Sequence, residues 1–130
     1  MKLKLINSVR TNNFNDKEIM DKIKALWEDA TRSLQNYQNS IFGVYFDYES
    51  NYKGDYSLAV AIEDVEASFG IPDTENYTVF KVDTTDKQGI FKAWSNIWQL
   101  EEHGELNRAY TIDFEKYHPN GDVEIHIAVK

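Results

Sequence analysis

Residues 109–129, AYTIDFEKYHPNGDVEIHIAV, decide the fold, because apolar and polar side chains alternate on both sides of a turn at His118. Alternation with a period of two predicts strands, here near residues 109–117 and 122–129. The first half of the chain contains a similar hairpin pattern, with predicted strands near residues 42–49 and 55–63. The sequence therefore predicts two related hairpins.

A strand and an amphipathic helix precede each predicted hairpin. In the first half they span residues 3–11 and 16–34, and in the second half residues 77–84 and 86–100. Apolar side chains recur at helical spacing along both helices, so each helix has one apolar face. The resulting prediction is a single α+β domain over residues 1–130 with antiparallel strands.

Short matching motifs support an internal duplication of a β-α-β-β unit. Asn15 to Glu18 and Thr85 to Gln88 both have the composition of a capping box at a helix start. Asp47-Tyr48-Glu49 also matches Asp113-Phe114-Glu115 within the two hairpins. We therefore predict two pseudo-symmetric repeats, one of about residues 1–66 and one of about residues 75–130.

Composition restricts the class of partner. Fourteen Lys and Arg against 22 Asp and Glu give a formal net charge of −8, which disfavours direct binding to nucleic acid or to anionic membranes and favours cations. The chain has no cysteine, no apolar run of membrane-spanning length and no signal-peptide pattern, so we expect a cytoplasmic protein. Eighteen aromatic residues, eight of them tyrosines, exceed what a small core needs.

Motifs for common enzyme chemistries are absent. The sequence has no serine nucleophile elbow, no phosphate-binding glycine loop and no basic stripe. His103, His118 and His126 lack metal-ligand spacing. We therefore expect no metal and no cofactor, and the sequence assigns no catalytic residue.

The second half resembles the GyrI-like family, also called the bacterial transcription activator effector-binding domain. The resemblance rests on residues 77–80, 93–98, 113–117 and 124–127, which read YTVF, AWSNIW, DFEKY and EIHI. It implies two pseudo-symmetric copies of the unit with a ligand cleft between them. With no helix-turn-helix segment, the chain is similar to stand-alone members, which include cation-binding proteins of integron cassettes. Ala128 departs from the family pattern, in which the final strand commonly has proline.

Strand alternation separates two faces of the predicted hairpins. It places Tyr110, Ile112 and Phe114 on one face, which we expect to meet the helices. Glu115 and Tyr117 lie on the opposite face with Asp113, and Tyr45 occupies the corresponding face of the first copy. If this face borders the cleft, a glutamate charge and aromatic rings suit an organic cation. The predicted ligand-binding residues are Glu115, Tyr117, Tyr45, Trp94, Trp98, Phe91 and Tyr110, the last because it begins the strand that follows the second helix.

Three functions remain open from sequence. The first is binding of lipophilic or aromatic organic cations as a multidrug-type effector protein, with a role in transcription regulation that the resemblance implies. The second is hydrolysis of cyclopropane-bearing alkylating toxins, with Glu115 activating water or protonating an electrophile and Tyr117 or Tyr45 assisting. The third is a gyrase-inhibitor-like interaction module. Binding is favoured over catalysis, and a homodimer or a protein partner remains open because exposed strand edges permit association.

Overall fold

The computed structural model describes all residues, 1–130, and contains seven strands and two helices. The first half comprises β1 (Lys2–Thr11), α1 (Ile19–Ser33), β2 (Ile41–Phe46) and β3 (Tyr56–Glu63). A short strand that the sequence did not predict, β4 (Phe69–Gly70), connects the halves. The second half comprises β5 (Asn76–Lys81), α2 (Gly89–Glu102), β6 (Asp113–Tyr117) and β7 (Val123–Val129).

All seven strands form one antiparallel sheet in the order β4-β1-β3-β2-β6-β7-β5. Strands β2 and β6 pair at its centre, and each is flanked by the other strands of its own half. The structure thus confirms the predicted α+β class and the strand-helix-strand-strand order in both halves. Neither helix combines the length and apolar character needed to span a bilayer.

The helices pack on one face of the sheet through small buried clusters. Leu26 and Ala30 of α1 pack against β3, where Leu58 and Val60 are buried. Ile97 of α2 packs in the same way against β7 in the second half. Each helix therefore covers the outer strands of its own half and leaves the central strands between them.

The opposite face of the central strands forms a second core. Phe42, Val44 and Phe114 are buried there with Leu3 and Ile71. The expectation that the Phe114 face meets the helices is therefore wrong, because the segment around β4 covers that face and the acidic, aromatic face lies on the helix side. Alternation identified the two faces correctly but did not show which one the helices cover.

Both helices begin with the same side-chain arrangement, although it is not a capping box. Neither helix has a side-chain hydrogen bond at its capping residue. Instead, Asp16 accepts the backbone N–H of Glu18 at 2.9 Å and pairs with Lys22 at 2.6 Å. Asp86 makes the equivalent contacts with Gln88 and Lys92 at the same distances. Lys22, through its hydrogen bond, lowers the pKa of Asp16 to about 2.

Two residues with positive φ interrupt the predicted hairpin strands. Asp47, at φ +50°, follows the last residue of β2, and Tyr110, at φ +56°, precedes β6 by three residues. The predicted strands 42–49 and 109–117 are consequently shorter in the structure. Asp47 lies just after its strand, whereas Asp113 is the first residue of its own, so the predicted match between their motifs is wrong.

Candidate functional site

A cavity of about 390 Å³ lies between the two helices and the central strands. Thirteen of its sixteen lining residues are hydrophobic, and its walls come from both halves of the chain. The helices contribute Ile19, Met20, Ile23, Trp27, Ile90, Phe91, Trp94 and Trp98. This cavity thus lies where the resemblance implied a cleft, above the face that carries the predicted glutamate.

Glu115 provides the negative charge of this cavity. Its side chain projects from β6, and the residue is only 3% exposed. One carboxylate oxygen, Oε2, accepts hydrogen bonds from the Tyr45 hydroxyl and the Trp94 indole N–H, both at 2.8 Å. The other, Oε1, accepts from the Tyr117 hydroxyl at 2.7 Å. All three donors are neutral, so they orient the carboxylate without cancelling its charge.

The two tyrosines that hold Glu115 stay protonated. Burial raises the pKa of Tyr45 well above its ordinary value, and the neighbouring Glu115 carboxylate adds to that rise. Burial and the same carboxylate also raise the pKa of Tyr117. Both phenols therefore act as hydrogen-bond donors at neutral pH.

A glycine makes room for the carboxylate. Gly43 of β2 pairs directly with Glu115 of β6. A Cβ atom built on Gly43 would lie 2.9 Å from Glu115 Oε1 and 3.3 Å from Trp27 Cζ2. Any larger residue at this position would displace either the carboxylate or the indole ring, so the space above β2 is part of the site.

Arg108 adds a positive charge to the cavity wall, but Asp113 already pairs with that charge. The buried Arg108 lines the cavity and donates to Asp113 Oδ2 at 2.8 Å. Burial opposes the charge of Arg108, yet the Asp113 carboxylate outweighs it and the pKa of Arg108 is raised. Asp113 also accepts the Tyr48 hydroxyl and the backbone N–H of Ala128. Glu115 takes part in none of the protein's salt bridges, so its charge is the uncompensated one.

Exposed apolar side chains surround the mouth of the cavity. Met20 near the start of α1 is 74% exposed, and Phe91 near the start of α2 is 62% exposed. Phe14, which is 57% exposed, packs against the Tyr52 and Trp98 rings, and these two rings stack on each other at 5.4 Å. We call Phe14, Met20 and Phe91 the rim.

Six of the seven predicted ligand-binding residues line this one cavity. Four surround its inner part, namely Glu115, Tyr45, Tyr117 and Trp94, and Phe91 and Trp98 lie nearer the mouth. Tyr110 does not line it. Its hydroxyl donates to Glu101, and its ring lies under the Arg108 guanidinium at 4.3 Å. Alternation placed Tyr110 on the Phe114 face, and the positive φ at Tyr110 ends that alternation.

Sequence reasoning did not assign ten of the sixteen lining residues, among them Trp27, Tyr56 and Arg108, and it did not assign Gly43 beside the carboxylate. Trp27 lies on the apolar face of α1 and packs on the Tyr117 ring, with 5.1 Å between the ring centroids. Helical spacing alone could have identified it as the counterpart in α1 of Trp94 in α2. Tyr56 lines the cavity and packs on the Tyr45 ring at 5.6 Å. No local pattern marks Gly43 or Arg108, because each acts through a partner on another segment.

Comparison with known proteins agrees with the fold and identifies the family. The family model for integron-associated effector binding proteins matches residues 5–129. The crystal structure of an integron cassette protein from the mobile metagenome of Vibrio cholerae is similar at a TM-score of 0.70 and 27% identity. The alignment covers 99% of this chain and 95% of that one. No curated protein matches the chain significantly. Since the family model covers nearly the whole sequence, the chain belongs to the integron-associated effector binding proteins.

Proposed function

We propose that this effector-binding protein takes up lipophilic or aromatic organic cations, with Glu115 as the counter-ion. The observation that carries the proposal is a buried carboxylate, held by three neutral donors and lacking a cationic partner, in the wall of a mostly apolar cavity. Burying a charge without a partner costs free energy, and a ligand that brings a positive charge offsets that cost. The Glu115 charge therefore gains its counter-charge only from a bound cation.

The aromatic walls favour a large, weakly hydrated cation over a small metal ion. Trp94, Tyr45 and Tyr117 contact the carboxylate through polar groups at their ring edges, and all three rings line the cavity. A cation against such a ring gains about 0.5–2 kcal/mol, and apolar groups of the ligand gain further free energy through burial. Three of the roughly four acceptor positions of the carboxylate are already used. A quaternary ammonium group, which donates no strong hydrogen bond, matches that arrangement.

The same walls support binding of several related ligands. Ring packing and apolar burial depend only weakly on the orientation of the ligand, whereas the Glu115 charge requires every ligand to carry a positive charge. We propose that the protein is a multidrug-type receptor in this sense. A role in transcription regulation would act through a partner that contacts DNA, because the net charge of −8 disfavours direct contact.

Titration calorimetry on the Glu115→Gln variant tests the proposal, with benzyltrimethylammonium as the cation. We expect the variant to weaken binding by about 1–3 kcal/mol, as for the loss of a charged contact. The fold should persist, because the glutamine oxygen can still accept from Tyr45 and Trp94, and the Tyr117 hydroxyl can accept from the new amide.

Glu49→Gln is the matched control, because it removes the same charge from an exposed position next to β2. Its affinity for benzyltrimethylammonium should equal that of the wild type. Equal losses in the two variants would mean that only the overall charge attracts the cation. Unchanged affinity in Glu115→Gln would remove Glu115 from the site and contradict the proposal.

A further inference from the structure

We infer that the ligands of this cavity are single-tailed amphiphilic cations, whose head group lies at Glu115 and whose alkyl tail leaves the cavity across the rim. The inference rests on the proposed function and adds the shape of the ligand to it. It is drawn from exposure along the cavity wall, where Glu115 is buried and the apolar residues of the rim are exposed.

The inner part suits only the charged head. Glu115 is 3% exposed and has Tyr45, Tyr117 and Trp94 as donors around it. The remaining charged residue of the wall, Arg108, is neutralised by Asp113. A cationic head therefore has a single favourable position, at the buried end of the cavity.

The mouth suits an apolar tail. Three of the protein's five large apolar residues that are strongly exposed lie at the rim, namely Phe14, Met20 and Phe91. Isolated exposed apolar residues need no explanation, but three of them around one cavity indicate an interaction surface. Phe14 packs on both rings of the Tyr52–Trp98 stack in the cavity wall. A ligand that ended inside the cavity would leave these side chains in water.

A tail of increasing length gives a quantitative expectation. Burying one methylene group contributes about 0.8 kcal/mol, which is roughly a fourfold gain in affinity. A tail that lies on the rim stays partly in water, so we expect a gain of about twofold per methylene there. The affinity should thus keep rising after the tail has become too long for the cavity.

The experiment compares butyl-, octyl- and dodecyltrimethylammonium, below their micelle concentrations, by calorimetry on the full chain. The rim variant carries Met20→Gln and Phe91→Gln, which keep helical side chains at exposed positions. The control variant carries Val65→Gln and Val79→Gln, the two other strongly exposed apolar residues, which lie outside the cavity wall. We expect the rim variant to bind the dodecyl compound roughly tenfold more weakly than the wild type does and to lose much less affinity for the butyl compound, while the control binds all three normally.

The other outcomes distinguish failure of the inference about the tail from failure of the proposed cation preference. Equal affinity for the three tail lengths, or equal losses in rim and control variants, would overturn the inference and leave the proposed function intact. Binding of dodecyl sulfate as tight as that of the dodecyl cation would overturn the proposed cation preference, even if the rim variant weakened both. Light scattering that showed pairing of wild-type chains, lost in the rim variant, would assign the rim to self-association instead.

Discussion

Gly43 lies directly opposite Glu115 in the pairing of β2 with β6, at the centre of the sheet. Aligning the first residues of these two strands makes Gly43 the counterpart of Glu115, and Tyr45 the counterpart of Tyr117. The two halves thus meet at a pair in which one copy carries the charge and the other has no side chain. Glu115 alone occupies the central position, because Gly43 has no side chain to fill the same space.

Replacing Gly43 with alanine tests this relationship. The new methyl group would lie 2.9 Å from Glu115 Oε1, so the carboxylate must move from its three donors. We expect about a tenfold loss in affinity for benzyltrimethylammonium, measured by calorimetry, in a protein that stays folded because alanine is acceptable in a strand. Gly70→Ala is the control, since the nearest atom there is 3.9 Å away. Wild-type affinity in Gly43→Ala would show that the glycine does not position the carboxylate.

The Arg108–Asp113 pair should contribute to stability more than any surface pair does. Both side chains are buried, so Arg108→Met leaves the Asp113 carboxylate without its counter-ion. We expect a loss of about 3–5 kcal/mol in the free energy of unfolding, measured with urea. Adding Asp113→Asn to Arg108→Met removes the stranded charge and should recover part of the loss.

The exposed pair between Arg32 and Asp29 provides the control for this prediction. Arg32→Met should change the free energy of unfolding by less than about 1 kcal/mol. If Arg108→Met and Arg32→Met gave similar losses, the buried pair would have no special role. If Asp113→Asn gave no recovery in the double variant, the loss would come from packing of the arginine stem and not from the stranded charge.

Acid should destabilise the fold through a cluster at the β6–β7 hairpin. Glu124 Oε1 lies 2.9 Å from His118 Nε2 and 3.3 Å from His126 Nε2. The His118 contact lowers the pKa of Glu124, while burial lowers the pKa of His126. Both groups bind fewer protons folded than unfolded, so stability is present above their ordinary pKa values and is lost as the pH falls.

The two groups act in different pH ranges. His126 weakens the fold as the pH falls below about 6.5, and Glu124 does so below about 4.5, the ordinary pKa values of these side chains. His126→Gln should therefore flatten the upper part of a plot of urea midpoint against pH and leave the lower part. His103→Gln, in an exposed loop, is the control. An unchanged upper slope in His126→Gln would assign the acid sensitivity to another group.

The elements of the fold follow from periodicity, whereas the site depends on partners that periodicity does not identify. Helical spacing in residues 16–34 and 86–100 correctly predicted both helices, and alternation placed Tyr45, Glu115 and Tyr117 on one face. Alternation could not show which face the helices cover, because both faces of the central strands carry large side chains. The Phe42 face is a core, but its cover comes from the segment around β4.

Irregular backbone accounts for the remaining differences. Asp47 and Tyr110 are not glycines, so the sequence does not indicate their positive φ. Each of them nevertheless ends the local alternation. Tyr48 therefore faces the cavity when strand parity predicts the other side, and Tyr110, which parity places with Phe114, packs on Arg108 instead. Arg108 itself could not be assigned, since its role exists only through Asp113, which is five residues away and buried beneath it.

All three tryptophans of the chain, Trp27, Trp94 and Trp98, line the same cavity. Their indole rings are the main source of ultraviolet emission in the protein, so the emission comes almost wholly from the cavity wall. The Trp94 indole is in addition hydrogen-bonded to the carboxylate that a cation would approach. Intrinsic tryptophan fluorescence of an unlabelled sample should therefore report whether a ligand occupies the cavity.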